Sequence, residues 1–540
     1  MKRIGFLVIS FLAFYNVSLF AQGNEIDAYT LSTHELGGTA RSMAMGGAFG
    51  ALGGDLSVIS NNPAGLGIYR SSEVSGTLDL SRVNTSTDWT GVKTDLNKSH
   101  FTMSNFAFSL YFPTGMSDVQ NWSVGFSYNR VKNFKRSYRM VNNGQDYSMS
   151  DYAAWRATNA FGHGNGITLD ELTLTDNYDP YNNRDLAGHW LPVLGYESGM
   201  YDHFVGRSNE YQSAFGRKSG GEWIVDSPTR SSLRVNENGY ADEYNIGFGM
   251  NVSGYLYVGA SFSVTDIDYR YSSFYEDFFN NRSSKGDYLY LENRLNTKGT
   301  AFSANFGVIS VIDMLRFGVA YNSPRWYDMT DYYNAWAETD ISEYETPKME
   351  NETPRDSYSE YRFQTPSKWI FSCAAVVGQS ALVSVDYEMT DYHKMLFSDR
   401  NGEGYGTNDY IKEDFTWGHT LKIGAEIKAT RQFAIRAGYM MQTSPMLKQL
   451  AKNDVEVIPA GTLPHFTVTS NPTNYFTAGI GYRFTPNFFM DLAWVYRYNN
   501  SDAYAFSNTY DRNNKVDVFA PPAKLQTNST RLALTIGLKF

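Results

Sequence analysis

Along much of the chain, apolar residues alternate one for one with small or polar ones. Ile246, Phe248, Met250 and Val252 are interleaved with Asn245, Gly247, Gly249 and Asn251, and after a short connection at Gly254 the rhythm resumes in Leu256, Val258, Ala260, Phe262 and Val264. A period of two sends successive side chains to opposite faces of a strand, so these runs predict a hairpin with one greasy face. The last run is the most regular: Leu532, Leu534, Ile536, Leu538 and Phe540 against Arg531, Ala533, Thr535, Gly537 and Lys539. Segments of this kind start near Val74, Phe101, Asn121, Tyr244, Tyr255, Tyr288, Met314, Tyr361, Ala381, Trp417, Phe433, Asn474, Phe488 and Thr530, about fourteen in all.

A soluble sandwich and a membrane barrel both bury one face of each strand, and alternation alone does not separate them. Three features favour the barrel. The runs reach ~9–13 residues, enough for a tilted strand to cross the hydrocarbon. Tight connections at Ala429-Thr430-Arg431 and Thr485-Pro486-Asn487 contrast with long polar stretches at 134–240, 324–356, 392–415, 442–472 and 499–528, the asymmetry of outer-membrane barrels. Aromatic residues such as Trp122, Tyr128, Trp326, Trp417, Trp494 and Tyr498 fall near strand ends, where amphipathic rings anchor at the two interfaces. Lipid tolerates no open sheet edge, so all strands are assigned to one all-β domain, a transmembrane antiparallel β-barrel over 72–540 with long extracellular loops. Tyr269 to Asp277 and Tyr288 to Asn293 read as a strand pair prolonged past the membrane.

Composition then narrows the function. Phe, Trp and Tyr make up 16% of the 540 residues, too aromatic for a disordered chain. A mean hydropathy of -0.41 and the lack of any apolar run of ~20 residues after residue 21 exclude a helical membrane protein. Residues 1–21 read as a secretory signal peptide, with Lys2 and Arg3 before an apolar stretch ending at Ala21, which predicts export and a mature chain from Gln22. The net charge of -10 opposes nucleic-acid binding, which needs cations against phosphates. A single cysteine, Cys373, forbids an internal disulfide and a multi-cysteine metal site, and reads as a small apolar filler on a strand. The 8 histidines show no metal-ligand spacing, and neither a Gly-x-Ser-x-Gly elbow nor a phosphate loop is present. No catalytic residue, metal or cofactor is therefore assigned.

Residues 22–71 do not alternate. Glycine and other small residues crowd the run from Leu36 to Asp55, and Asn62-Pro63-Ala64 follows. Such a composition packs closely and turns sharply, and fits either an N-terminal arm or a compact plug in the lumen. The run from Gly37 to Asp55, Asn62-Pro63-Ala64, and the segments Leu315 to Pro324, Ala434 to Tyr439 with Ser444-Pro445, and Gly479 to Phe484 together resemble the FadL/TodX family of outer-membrane transport proteins. The resemblance implies a monomeric fourteen-stranded barrel in the outer membrane of a Gram-negative bacterium. It also implies an N-terminal hatch at 22–71, to which Asn62, Pro63 and Ala64 belong, and passive, hatch-gated uptake of hydrophobic compounds such as long-chain fatty acids. Phe540 resembles the terminal aromatic sorting signal of such barrels.

Two sets of side chains are candidates for ligand contact. Trp190, Leu191, Leu194, Tyr196, Tyr201 and Phe204 lie in the longest loop, and form an external apolar groove or pack the loop against itself. Alternation turns Arg316, Lys422, Arg436, Arg483 and Arg531 into the lumen. There they can meet a substrate carboxylate or lumenal acids such as Asp386, Glu388, Glu426 and Asp491. The expected partners are a hydrophobic small molecule and outer-membrane lipid. A haem (hemin) receptor using loop Tyr and His residues, and a surface adhesion or structural barrel binding a host macromolecule, are the other functions the pattern allows.

Overall fold

The alternating runs join into one antiparallel sheet that closes on itself. Its strands are β1 (Glu73–Trp89), β2 (Val92–Pro113), β3 (Val119–Asn133), β4 (Pro228–Val252), β5 (Leu256–Phe279), β6 (Tyr288–Ile312) and β7 (Leu315–Asn322), then β8 (Lys368–Val377), β9 (Ala381–Asp391), β10 (Trp417–Lys428), β11 (Phe433–Gln442), β12 (Thr473–Arg483), β13 (Phe488–Tyr504) and β14 (Ala523–Lys539). β14 returns to β1 in register from Lys539↔Glu73 to Lys524↔Asp88, so this barrel of fourteen strands has no free edge. The computed structural model describes residues 23–540 except 161–164, 187, 205–206, 208, 220–221, 280–286, 343–347, 356, 379, 452–456, 458–460 and 512–514; the expected signal peptide lies outside the described residues.

The outer face explains the greasy half of the alternation. Leu80, Phe101, Ile246, Phe306, Ile435 and Leu532 stand 45–66% exposed, part of a belt far more apolar than a protein in water leaves bare. Cys373 sits on this face, between Phe371 and Ala375 of β8, exposed rather than packed as a filler. At the short-turn end, Ser253 (φ 58°) and Gly254 (φ 80°) are left-handed in the three-residue connection 253–255 that joins β4 to β5.

The wall is taller than the loops in the sequence suggest. β4 begins at Pro228, a strand Trp326–Asp340 occupies part of 324–356, and β13 and β14 reach Tyr504 and Ala523. The ends of the expected loops 134–240, 324–356 and 499–528 are thus strand. Above the lipid the outer face need not be apolar, so greasy alternation fades from the sequence while burial still alternates to the tip of β5. β5 and β6 do form the prolonged pair, registered as far as Phe278↔Tyr288. The run expected to start near Tyr361 is two strands, Ser357–Gln364 and β8, and β7 is likewise interrupted before Trp326–Asp340. Pro366 and Pro324 stand in these breaks, where a residue lacking an N–H cannot continue the ladder.

Residues 24–71 fold inside the wall as α1 (Glu25–Ser32), α2 (Ala40–Ala44), α3 (Val58–Asn61) and a 3-10 turn, Pro63–Ile68. Asn24 and Thr39 start the first two helices by accepting from the Asp27 and Ser42 amides at 2.9 and 3.1 Å. The long-loop end is roofed by the helices Met149–Thr158 and Trp190–Glu197, packed with the strand extensions into one buried cluster.

Candidate functional site

The small half of the alternation is shaped by the lumenal segment. Gly125, Gly247, Gly249, Gly259, Gly307, Gly318, Gly424, Gly438 and Gly479 face inward from eight strands of the wall, and a Cβ on any of them would come within 3.0 Å of residues 44–67. The wall has no side chains there because the lumenal backbone occupies their place. Asn62, Pro63 and Ala64 lie at the centre of this contact. Asn62 donates from Nδ2 to the Gly50 carbonyl at 2.6 Å and accepts from the Ala64 amide at 3.2 Å, while Pro63 opens the 3-10 turn. Further ties run from the Ala40 amide to Thr535 (2.7 Å) and from the Gly50 amide to Asp386 (2.8 Å).

Charge latches the same segment on one side. Glu426 accepts from Arg41 of α2 at 2.8 Å and from Arg436 of β11 at 2.6 Å, and Arg436 also binds Asp491 at 2.6 Å. Lys422 pairs with Glu388 at 2.5 Å. Arg316 donates to the Leu52 carbonyl of the lumenal segment. Arg483 is exposed at the short-turn mouth and has no carboxylate partner among the described residues. Of the basic candidates, then, Arg436 and Arg316 hold the filling of the barrel in place, and Arg483 is the one left facing solvent.

The external groove candidates are mostly covered. Trp190, Leu191, Leu194 and Tyr201 are at most 3% exposed and Tyr196 is half-buried, while Phe204 remains exposed. The apolar face of Trp190–Glu197 turns down onto Met149–Thr158 and the strand tips instead of outward, because apolar residues in a loop this long can bury one another. Asp277, in the part of β5 above the membrane, accepts from the Met149 amide at 3.1 Å and the Tyr275 hydroxyl at 2.8 Å. Burial raises its carboxyl to about 7, partly offset by these hydrogen bonds. A raised pKa means that the folded roof prefers the protonated acid, so Asp277 weakens the roof as pH rises from about 4 to about 7 and the loss is complete above that. Asp277→Asn is expected to slow proteolysis of the 143–227 segment at pH 8 and to make little difference at pH 4.

Above the lumenal segment lies a cavity of about 160 Å³. Its lining is polar and cationic: Lys132, Lys135, Arg136, Arg497 and Arg531 against Glu35 and Glu237, with His34, His100 and several threonines. It adjoins a small annex walled by Tyr138, Tyr269, Tyr271, Ile26, Leu295 and Phe466. The annex holds only about 30 Å³ and its wall also carries Asp27, Arg136, Glu237 and His465, so the space as a whole is polar with a cationic excess.

One flank of the cavity is a gap in the wall. β2 pairs with β1 up to Val92, but with β3 only from Pro113 to Asn105. The backbone-paired part ends at the Asn105–Asn129 side-chain bond (2.7 Å), and above it the parted strands are joined by side chains alone, His100 Nε2 with Asn133 Nδ2 (2.7 Å) and then Lys98 with Asn238 (3.0 Å). β3 bulges away between Arg130 and Lys132. Along this stretch His100, Thr102 and Ser104 face inward, with His100 Nδ1, Thr102 Oγ1 and Ser104 Oγ buried and without partners among the described residues, while Phe101 and Met103 point to the lipid belt. At the lower edge of this window β2 carries a bulge at Ser104, where the outward apolar positions change from odd (Phe101, Met103) to even (Phe106, Leu110, Phe112).

Among solved structures, the chain is similar to a FadL homologue of Pseudomonas aeruginosa, with 10% identity, 94% of this chain and 100% of that chain covered, and a TM-score of 0.50. The toluene transporters TodX of P. putida (12% identity, 94% and 99% covered, TM-score 0.49) and TbuX of Ralstonia pickettii (13%, 93% and 98%, 0.45) are also similar. No family model matches the sequence, and no curated protein matches it significantly. At this identity the likeness establishes the fold: a closed fourteen-stranded barrel of the FadL type.

Proposed function

We propose that the protein is a monomeric outer-membrane transporter that takes up hydrophobic or amphipathic small molecules and is not an enzyme. The window between β2 and β3 carries this reading. A hydrophilic solute gains nothing from a side door into lipid, whereas an apolar chain leaving a polar cavity through Phe101 and Met103 recovers ~0.8 kcal/mol for each CH₂ taken from water. The lumenal segment acts as the hatch, with Asn62, Pro63 and Ala64 at its seat, and keeps the lumen from conducting as an open pore. The cationic cavity favours cargo with an anionic end, such as a fatty acid, and the complete lipid belt supports a monomer in the outer membrane.

The test is uptake of labelled dodecanoate into proteoliposomes. His100→Trp, which fills the window from inside, is expected to slow uptake by about tenfold, equivalent to ~1.4 kcal/mol, while binding to the detergent-purified barrel persists. Uptake at the rate of protein-free liposomes by the unmodified protein would refute the proposal.

A further inference from the structure

We infer that Glu35 is an internal competitor for the ligand: its carboxylate holds the paired guanidinium groups that an incoming carboxylate takes over, and its displacement loosens the N-terminal segment that Glu35 ties between β3 and the wall of β13 and β14. This deepens, and rests on, the uptake reading above. Glu35 joins two sides of the cavity. Its side chain accepts from Arg497 of β13 at 3.1 Å and from Arg531 of β14 at 3.2 Å. Its amide donates to the Val131 carbonyl at 2.9 Å, at the bulge of β3 beside the window. The next residue of the bulge, Lys132, holds Thr33 at 2.5 Å. This N-terminal strap is therefore tied to the window by its backbone, and to the far wall by the charge pair and by the Leu36 carbonyl, which accepts from Arg531 at 2.7 Å.

Three observations make that pair exchangeable. Both Glu35 contacts are longer than the 2.7–2.9 Å of a tight charge-assisted bond, and Glu35, Arg497 and Arg531 all border the cavity. Arg497 Nε is buried with no partner among the described residues, so the arginine has a donor to spare. Lys132 faces the same space with no carboxylate within 4.0 Å among the described residues, its amine held by the Thr30 carbonyl and the Thr33 hydroxyl, so it offers an arriving anion a further donor. Trading one carboxylate for another leaves no guanidinium buried alone, the step that would be costly. Arg531 keeps Asp79 at 3.1 Å throughout. An alcohol of the same length cannot make the exchange, so it binds without loosening the strap.

Dodecanoate and dodecanol binding to the full-length protein separate the possibilities. Glu35→Gln is expected to tighten dodecanoate about tenfold and leave dodecanol unchanged, and Arg497→Gln with Arg531→Gln to abolish the preference for the carboxylate. In the unsubstituted protein, dodecanoate but not dodecanol should speed hydrogen exchange at the Glu35 amide, a readout independent of whether the variants fold. Unchanged or weaker dodecanoate binding by Glu35→Gln, or an amide whose protection dodecanoate does not alter, overturns the inference. If both ligands bind and Glu35→Gln alters neither, the competitor falls and the uptake reading stands; if neither ligand binds, both fall.

Discussion

Gly259→Leu is expected to turn a barrel that is silent in planar bilayers into one with steady conductance steps. A Cβ at this position already lands on the Pro63 carbonyl group and the Ala64 amide, and a leucine adds three further carbons. Where side chains can give way, overpacking costs ~1–3 kcal/mol. Here the opposing atoms are backbone, pinned by the Asn62–Gly50 bond (2.6 Å) and by neighbouring glycine contacts on both sides. The wall is a continuous hydrogen-bonded ladder through Gly259, paired to Gly249 and Gly307, so the lumenal segment yields before the barrel does. Conductance as low as that of the unsubstituted protein, from a correctly folded Gly259→Leu barrel, would show that the segment can repack without opening the lumen.

The second large effect is expected from Arg436→Met. The change keeps much of the side-chain volume but leaves Asp491 without a cation among the described residues and Glu426 with Arg41 alone. Removing one partner from a buried charge cluster costs ~3–5 kcal/mol, because the remaining charges lose compensation and cannot regain water. Urea unfolding, followed by the mobility difference between folded and unfolded barrel on gels, should show a correspondingly lower midpoint. A midpoint unchanged from that of the parent protein would mean that the cluster is already hydrated from the short-turn mouth.

The wall was legible in the sequence and the path through it only in part. Period-two runs such as Leu532 to Phe540 report a face in lipid and a face in the lumen at every step, so strand identity and the total of fourteen follow from local pattern alone. The same pattern held a second message, because the inward glycines of β4, β5, β6 and β11 are the imprint of the lumenal segment against them. Lys422, Arg436, Glu388, Glu426 and Asp491 could be turned inward by alternation, and their pairing follows from the cost of leaving them single. The window is only half legible: the outward apolar positions of β2 slip by one residue at Ser104, but that β3 bulges at Val131 and parts from β2 above Asn105 shows only in their relative register. Trp190 and Tyr201 mislead for a related reason, since an apolar residue in a long loop looks the same whether it faces a ligand or a neighbouring helix. Glu35 and Arg531 are 496 positions apart, beyond the reach of any local signal.

Release of cargo through the side of the barrel is the claim on which the functional reading stands. A photoactivatable dodecanoate, illuminated during uptake by the membrane-embedded protein and mapped by mass spectrometry, tests it most directly. The account predicts labels on both faces of the β2 window, at His100, Thr102, Phe101 and Met103, lost when unlabelled dodecanoate is in excess. Labels that bypass β2 and gather instead at the short-turn mouth around Lys428, Arg431 and Arg483 would contradict it and place the route through the hatch.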